Sequence, residues 1–213
     1  MSSSTEQPVR AREPGDVTPA TTAVVCVECQ QGVLGPDSAL PGLSSDSAGM
    51  LPAVERLVRC ARAAGVPVVH ATFEGRLGAV DPGTAPLWRT LGSRTAHWAP
   101  GDPATQVLPQ LLDPDDLVLP RHHGLSPTWG TELLPVLRAR GVRTIVFAGV
   151  SLNVALPLAV GETAHEGFRV VVPADAVAGT PAEYGHQVLR NTISMLATVT
   201  TVDALAAAWS ATL

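Results

Sequence analysis

Short apolar runs, rich in β-branched residues, alternate with helical patterns along most of this chain. The runs are apolar throughout rather than at every second position, which is typical of strands buried on both faces. Predicted strands cover residues 23–29, 66–71, 116–119, 144–148, 168–172 and 198–202. Predicted helices cover residues 51–64, 131–140, 156–166, 182–197 and 204–210. Regular strand–helix alternation predicts an α/β fold, a three-layer α/β/α domain around a six-stranded parallel sheet of Rossmann-like type.

The first 20 residues are polar and aperiodic, so the sequence predicts a flexible N-terminal tail over 1–20 and a single domain over 21–213. The formal net charge is −5, which argues against nucleic acid or an anionic membrane as a partner. No apolar run reaches the roughly 20 residues that a membrane span needs. Because no apolar leader segment is visible at the start, we expect a cytoplasmic location.

The chain contains three cysteines, an odd number that fits a reducing compartment. Cys26 and Cys29 lie three residues apart on a predicted strand, where they would point to opposite faces unless the strand ends between them. They lack the second cysteine pair of a structural zinc site, and we interpret them as core residues.

In open parallel sheets, ligands bind beyond the carboxyl ends of the strands. Segments 28–35, 120–130 and 149–155 each follow a predicted strand and are therefore the expected lining of a site. Residues 75–105 form a long irregular connection, as is typical of a lid or an oligomer contact. Neither GxGxxG after the first strand nor GxxxxGK[ST] is present, and we predict no cofactor.

Four motifs occur in a fixed order on these elements. The first strand ends in Glu28-Cys29-Gln30, and the third is followed by His122, Ser126 and then Gly130-Thr131. The fourth leads into the turn Gly149-Val150-Ser151-Leu152-Asn153-Val154-Ala155, and the fifth into Asp175-Ala176. From about residue 22 to 205 the chain resembles the isochorismatase-like hydrolases, or cysteine hydrolase superfamily. The resemblance implies the fold named above, a small-molecule substrate and a homodimer or homotetramer.

That resemblance also implies a site. The family uses an aspartate, a lysine and a nucleophilic cysteine, and the matching positions here are Glu28, His122 and Ala155. An alanine methyl group cannot attack a carbonyl, so covalent catalysis is not expected. The oxyanion-binding amides of the family fall on Ser151 and Ala155, with a cis peptide expected at Val150–Ser151.

The predicted substrate pocket also contains several polar or aromatic residues: His70, Gln30, Ser126, Trp129 and Asn153. His122 is selected by spacing, with Arg121 and His123 facing away, although a slip of one residue in register would exchange these positions. Trp88, Trp98 and Trp129 could line the pocket or lie in the core. Ser151 and Asn153 could simply cap a helix. Adjacent histidines are poor chelators and no third ligand lies at a suitable spacing, so we predict no metal.

Three functions remain open from the sequence. The chain could add water to a small molecule directly, with Glu28 as general acid or base and His122 orienting the substrate or water. It could bind a ligand in a retained pocket without turnover. It could also use a different active site, involving Cys29.

Overall fold

A computed structural model describes residues 11–78 and 82–211. Its strands are short and follow one another along the chain with helices between them. They are β1 (Thr22–Val27), β2 (Val68–Phe73), β3 (Leu117–Arg121), β4 (Thr144–Val150), β5 (Arg169–Pro173), β6 (Val177–Ala178) and β7 (Thr198–Thr200).

The helices differ widely in length, and the shorter ones lie near the ends of the first two strands or near the end of the chain. They are α1 (Gln31–Leu34), α2 (Pro41–Ser47), α3 (Leu51–Ala63), α4 (Leu87–Leu91), α5 (Leu133–Ala139), α6 (Ala155–His165), α7 (Ala182–Val188), α8 (Ser194–Leu196) and α9 (Val202–Ser210).

All strand pairs within the sheet are parallel, in the order β3-β2-β1-β4-β5-β7, with β6 added beside the end of β4. Strands β1 and β4 lie at the centre and are buried along their whole length, which explains why their sequences are apolar at every position. The predicted parallel α/β/α fold is confirmed, with β6 as an additional strand of two residues.

The two faces of the sheet carry separate hydrophobic cores. One face packs against α3 and α9, whose buried side chains include Leu57, Leu205 and Trp209. The other packs against α5 and α6, through residues such as Leu137 and Leu156. Side chains of successive strand residues alternate between these cores, and this alternation produces the three layers.

Two predicted elements differ from the observed ones. β1 ends at Val27 rather than continuing to residue 29, because Glu28 adopts a left-handed backbone conformation with φ of 51°. The helix predicted over 182–197 is divided into α7, a π-helical turn over Leu189–Ile193, and α8.

The predicted tail over 1–20 needs correction for residues 11–20, while residues 1–10 lie outside the described residues. Val17 is buried in the core, and its carbonyl accepts a hydrogen bond from Trp209 Nε1 at 2.9 Å. The carbonyl of Asp16 accepts another from Thr144 Oγ1 at 2.9 Å. This segment therefore packs against the sheet and α9 as part of the domain.

The long connection over 75–105 contains two short helices in its described part, α4 and a 3-10 turn over Pro103–Thr105. Trp88, Leu91 and Trp98 from this segment are buried, and they cover the carboxyl ends of β1 and β2. In the parts of the chain that the structure describes, no helix has the length and apolar character to cross a membrane.

Candidate active site

A cavity of about 70 Å³ lies at the carboxyl ends of the central strands. All three strand-end segments expected to line a site contribute to it. Its lining includes Glu28, Gly32 and Val33 after β1, Arg121 and Leu125 at the end of β3, and Ser151, Val154 and Ala155 after β4. The cavity is therefore where this fold class binds ligands.

Glu28 reaches the cavity because of its backbone conformation. Its amide donates to Ala71 O at 2.9 Å, which fixes it at the end of β1. A positive φ is uncommon for a residue with a side chain and is frequently found at functional sites. The carboxylate is only 14% exposed and forms an ion pair with Arg121 through Oε1 and Nη2.

Arg121 occupies the place that we predicted for His122. The guanidinium is 4% exposed, lines the cavity and lies over the Phe73 ring, with 5.3 Å from Cζ to the ring centroid. His122 instead places Nδ1 3.2 Å from Gly75 O and is not part of the cavity lining. Because neighbouring residues on a strand point to opposite faces, a shift of one residue in register exchanges the two side chains.

The turn after β4 delivers backbone amides to the cavity. The expected cis peptide at Val150–Ser151 is present, and α6 begins at Ala155, a lining residue of the cavity. Among the hydrogen bonds between described residues, none is donated by the amide of Ser151 or of Ala155. These two donors at a helix N-terminus are available to a carbonyl oxygen or an anion.

The cavity walls are mainly apolar and aromatic. The Phe73 ring lies 5.2 Å from the Trp88 ring and 6.1 Å from the Trp98 ring, measured between centroids. Leu40 and Leu43 add aliphatic surface from the α2 region. Of the three tryptophans considered from the sequence, Trp88 and Trp98 line the cavity.

Trp129 does not line the cavity. It is 67% exposed and packs edge-on against His123, with 6.3 Å between ring centroids. Ser126 is also turned away, because its hydroxyl donates to Glu162 Oε2 of α6 at 2.5 Å. The loop after β3 therefore contributes Arg121 and Leu125 to the cavity instead of Ser126 and Trp129.

Gln30 and Asn153 support the site without lining it. Gln30 is fully buried, and its amide group exchanges two hydrogen bonds with the backbone of Phe73, at 2.8 and 2.9 Å. Asn153 does the same with the backbone of Thr180, at 2.6 and 2.9 Å. These amides complete backbone hydrogen bonding, and neither residue is in the cavity lining. Asn153 does not cap α6 either, since the residue before this helix is Val154.

His70 lies in the middle of β2 and not in the cavity. Its Nε2 is 2.9 Å from Asp116 Oδ2, and Asp116 is also bound by Arg62. Burial lowers the pKa of His70, although the hydrogen bond with Asp116 opposes this shift. The predicted pocket role of His70 is therefore replaced by a place in a buried polar network.

The cysteines are free and none lines this cavity among the residues described. Cys26 and Cys29 converge because β1 ends between them. A hydrogen bond with Cys26 and burial together raise the pKa of Cys29 well above its ordinary value, which makes its thiol a poor nucleophile. Within the described ranges, no three His, Cys, Asp or Glu side chains are placed to hold a metal ion.

Of the residues that shape most of the cavity wall, Phe73 is indicated by no motif, Arg121 was predicted to face away, and the sequence leaves Trp88 and Trp98 open between pocket and core. A signal for Arg121 is present in the alternation along β3, where Leu117 and Leu119 are more buried than Val118 and Pro120. Extending that alternation by one step places Arg121 on the buried side.

Comparison with known proteins identifies the class. Residues 22–204 match the isochorismatase domain model. The chain is 31% identical over 215 residues to a ureidoacrylate amidohydrolase RutB of Methylorubrum extorquens, with 89% of this chain and 83% of that protein covered. It is 30% identical over 194 residues to the Methylobacterium radiotolerans protein of the same name, and the match covers 82% of this chain and 74% of that protein. The chain belongs to the isochorismatase-like, or cysteine hydrolase, family.

Solved structures agree on the fold. A cysteine hydrolase from Pseudomonas syringae pv. phaseolicola superposes with a TM-score of 0.80 at 24% identity, covering 98% of this chain and all of that one. An N-carbamoylsarcosine amidase from Thermoplasma acidophilum superposes with a TM-score of 0.68 at 22% identity. The match covers 86% of this chain and 97% of the amidase chain.

Proposed function

We propose that this chain hydrolyses a small carbonyl compound with a water molecule as nucleophile and Glu28 as general base, without a covalent intermediate. The observation that carries the proposal is the composition of one cavity. It is lined by Glu28 and by Ser151 and Ala155, whose backbone amides donate no hydrogen bond to a described residue, and Ala155 begins α6. The family resemblance implies that this alanine stands where other members have their nucleophilic cysteine. A carboxylate and an oxyanion site are what direct water attack requires.

In the proposed reaction, the water oxygen forms a bond to the carbonyl carbon while its proton passes to the Glu28 carboxylate. The carbonyl electrons move onto the oxygen, which accepts hydrogen bonds from the amides of Ser151 and Ala155. The tetrahedral intermediate then collapses, and the leaving group departs with the proton that Glu28 had accepted. Glu28 returns to its ionised form, and no bond to the protein is made at any step.

Arg121 favours the role of general base over that of general acid for Glu28. Its guanidinium is permanently charged and contacts the carboxylate directly, so Glu28 is better suited to accept a proton than to donate one. The role predicted for His122, orienting substrate or water, passes to Arg121 because His122 is outside the cavity. The relatives named as ureidoacrylate amidohydrolases direct the first assays to amide and ureido C–N bonds.

The test is hydrolysis by the purified chain, measured as released ammonia or acid over a panel of small amides, ureido acids and esters. Replacing Glu28 by Gln should lower turnover of any identified substrate by about 100-fold or more, since it removes the proton acceptor. Glu132→Gln at an exposed position serves as the matched control and should keep full activity. Full activity of the Glu28→Gln protein would exclude Glu28 as the base.

A second candidate is ligand binding without turnover. It is favoured by the ion pair itself, which engages the carboxylate with a cation inside a mainly apolar cavity. The two candidates separate in one experiment. A compound that binds the wild-type chain, shows no hydrolysis and binds the Glu28→Gln protein equally well would support binding alone.

A further inference from the structure

We infer that Trp98 is a specificity-determining residue: its indole closes the cavity off from a larger surface groove and so restricts the substrate to compact molecules. This inference deepens the proposed function, and it rests on that function only for the location of the site. Three observations support it: two neighbouring spaces of very different size, a shared wall with one bulky side chain, and a fixed position for that side chain.

The larger space, here called the outer groove, lies beside the cavity at the protein surface. Its volume is about 770 Å³, against about 70 Å³ for the cavity. Exposed charged, titratable and proline side chains line it: Pro36, Asp37, Arg94, His97, Pro103 and Pro109. Ordinary ligand pockets measure about 300–1,000 Å³, so the outer groove has the size of a ligand pocket and the cavity is well below it. A substrate that reached from one space into the other would escape the size limit of the cavity.

The wall between the two spaces depends on one side chain. Among the described lining residues, Gly32, Ala39 and Trp98 line both the cavity and the outer groove, so they lie between them. Glycine contributes no side chain and alanine only a methyl group, so the indole supplies most of the thickness of this wall. Removing the indole would therefore join the cavity to the outer groove.

Trp98 is held firmly on two sides. Its indole packs against Gly32, where an added Cβ would lie 2.7 Å from Trp98 Cη2. Its backbone packs against Gly75, which has φ of 80° and where an added Cβ would lie 2.7 Å from the Trp98 carbonyl carbon. The Trp98 amide donates to Thr95 O at 3.0 Å, and the ring centroid lies 6.1 Å from that of Phe73. Such close packing leaves the indole little room to move aside, so it limits substrate size as a fixed wall.

The test measures how large a reagent can reach the start of α6. In a Cys60→Ser background, the thiol introduced by Ala155→Cys reports access, because Ala155 lines the cavity and not the outer groove. Iodoacetamide and iodoacetanilide are both uncharged and react through the same group, but iodoacetanilide carries an additional phenyl ring. Mass spectrometry of peptides measures each alkylation rate, which is divided by the rate of the same reagent with glutathione. With Trp98 present, iodoacetamide should have the larger relative rate by at least about tenfold.

Replacing the indole should remove this size selection. In Trp98→Ala, the relative rate of iodoacetanilide should come within about threefold of that of iodoacetamide, because the phenyl ring can extend into the outer groove. Trp98→Phe retains a smaller ring in the core and should give an intermediate ratio, so it tests the inference even if Trp98→Ala does not fold. Trp129→Ala is the matched control, since this exposed tryptophan lines neither space and its removal should leave the selection intact.

Circular dichroism verifies that each variant is folded before it is labelled. Similar relative rates of the two reagents with Trp98 present would overturn the inference. So would an unchanged ratio in folded Trp98→Ala, or in Trp98→Phe if the alanine variant does not fold. Loss of selection in Trp129→Ala as well would assign the effect to a general loosening of the fold and would also overturn it.

Labelling does not require turnover, so it stands apart from the hydrolysis assay. For a compact amide that is hydrolysed, Trp98→Ala should raise kcat/KM of the phenyl-extended analogue relative to the compact amide by at least about tenfold. Hydrolysis with no change in that ratio would support the proposed function and overturn this inference. Size selection in labelling that depends on Trp98, with no hydrolysis of any compound, would do the reverse.

Discussion

At the scale of single residues, Gly32 fixes the shape of the cavity. It lies in α1 against the Trp98 indole, and an added Cβ would lie only 2.7 Å from Trp98 Cη2 and 2.8 Å from Ala104 O. Gly32→Ala should therefore lower the free energy of unfolding by about 1–3 kcal/mol, although alanine ordinarily favours a helix. Urea denaturation measures the change.

Gly49→Ala is the control for this prediction, because a Cβ at Gly49 has no neighbouring atom within 4 Å. It should leave stability within about 0.5 kcal/mol of the wild type. If Gly32→Ala were as stable as Gly49→Ala, Trp98 would not be held firmly against α1, and the cavity wall would be less defined than the contacts indicate.

The identity of the cavity residues was the least predictable property of the site. Glu28, Ser151 and Ala155 were predictable from the motifs, because Glu28 and Ser151 directly follow long buried strands and Ala155 begins the helix after the second of these. Arg121 is the last residue of β3, an edge strand of five residues, where side-chain direction depends on a register that the spacing to Ser126 did not define. Trp88 lies in a helix of only five residues and Trp98 on an irregular segment, so no periodicity indicates which way they face.

At the scale of secondary-structure elements, a buried polar network joins β2, α3 and the residues just before β3. Asp116 Oδ2 accepts from Arg62 Nη2 at 2.5 Å and from the Asp113 amide at 3.1 Å, and it lies 2.9 Å from His70 Nε2. The other ring nitrogen, His70 Nδ1, is buried with no partner among the described residues. A proton added there would create a buried donor without an acceptor.

This network predicts loss of stability in mild acid. Burial lowers the pKa of His70, so the unfolded chain binds a proton more readily than the folded one. Stability from His70 is therefore present above about pH 6.5 and decreases as the pH falls below it, by at most about 1.4 kcal/mol per pH unit. Burial disfavours ionised Asp116, but hydrogen bonds from Arg62 and His70 outweigh this and lower its pKa, so Asp116 contributes a constant amount above about pH 4.

The measurement is urea denaturation between about pH 5.5 and 7.5 for the wild type, His70→Gln and His186→Gln. The glutamine at position 70 can donate to Asp116 without titrating, so its stability should vary less with pH. His186 is exposed on α7, and its replacement should leave the pH dependence as in the wild type. A His70→Gln protein with the wild-type slope would show that His70 is not the titrating group.

At the scale of the whole molecule, the fold was predictable because buried parallel strands impose a continuous apolar signal. The packing of residues 11–20 against the domain could not be predicted from the sequence. It depends on two buried residues, Pro14 and Val17, and on the backbone carbonyls of Asp16 and Val17, which accept from Thr144 and Trp209 respectively. Contacts of this kind leave no pattern in a polar segment.

The family resemblance implies that the start of α6 is the nucleophile position, and this leads to the last prediction, made at the scale of the whole fold. In a Cys60→Ser background, a thiol introduced by Ala155→Cys would lie at a helix N-terminus near Arg121, both of which favour the thiolate. Iodoacetamide should alkylate it at least about tenfold faster than a thiol introduced by Ala164→Cys in the last turn of α6. Cys26 and Cys29 are buried and should contribute little labelling. Mass spectrometry of peptides over time measures both rates, and equal rates would mean that this helix start no longer activates a nucleophile.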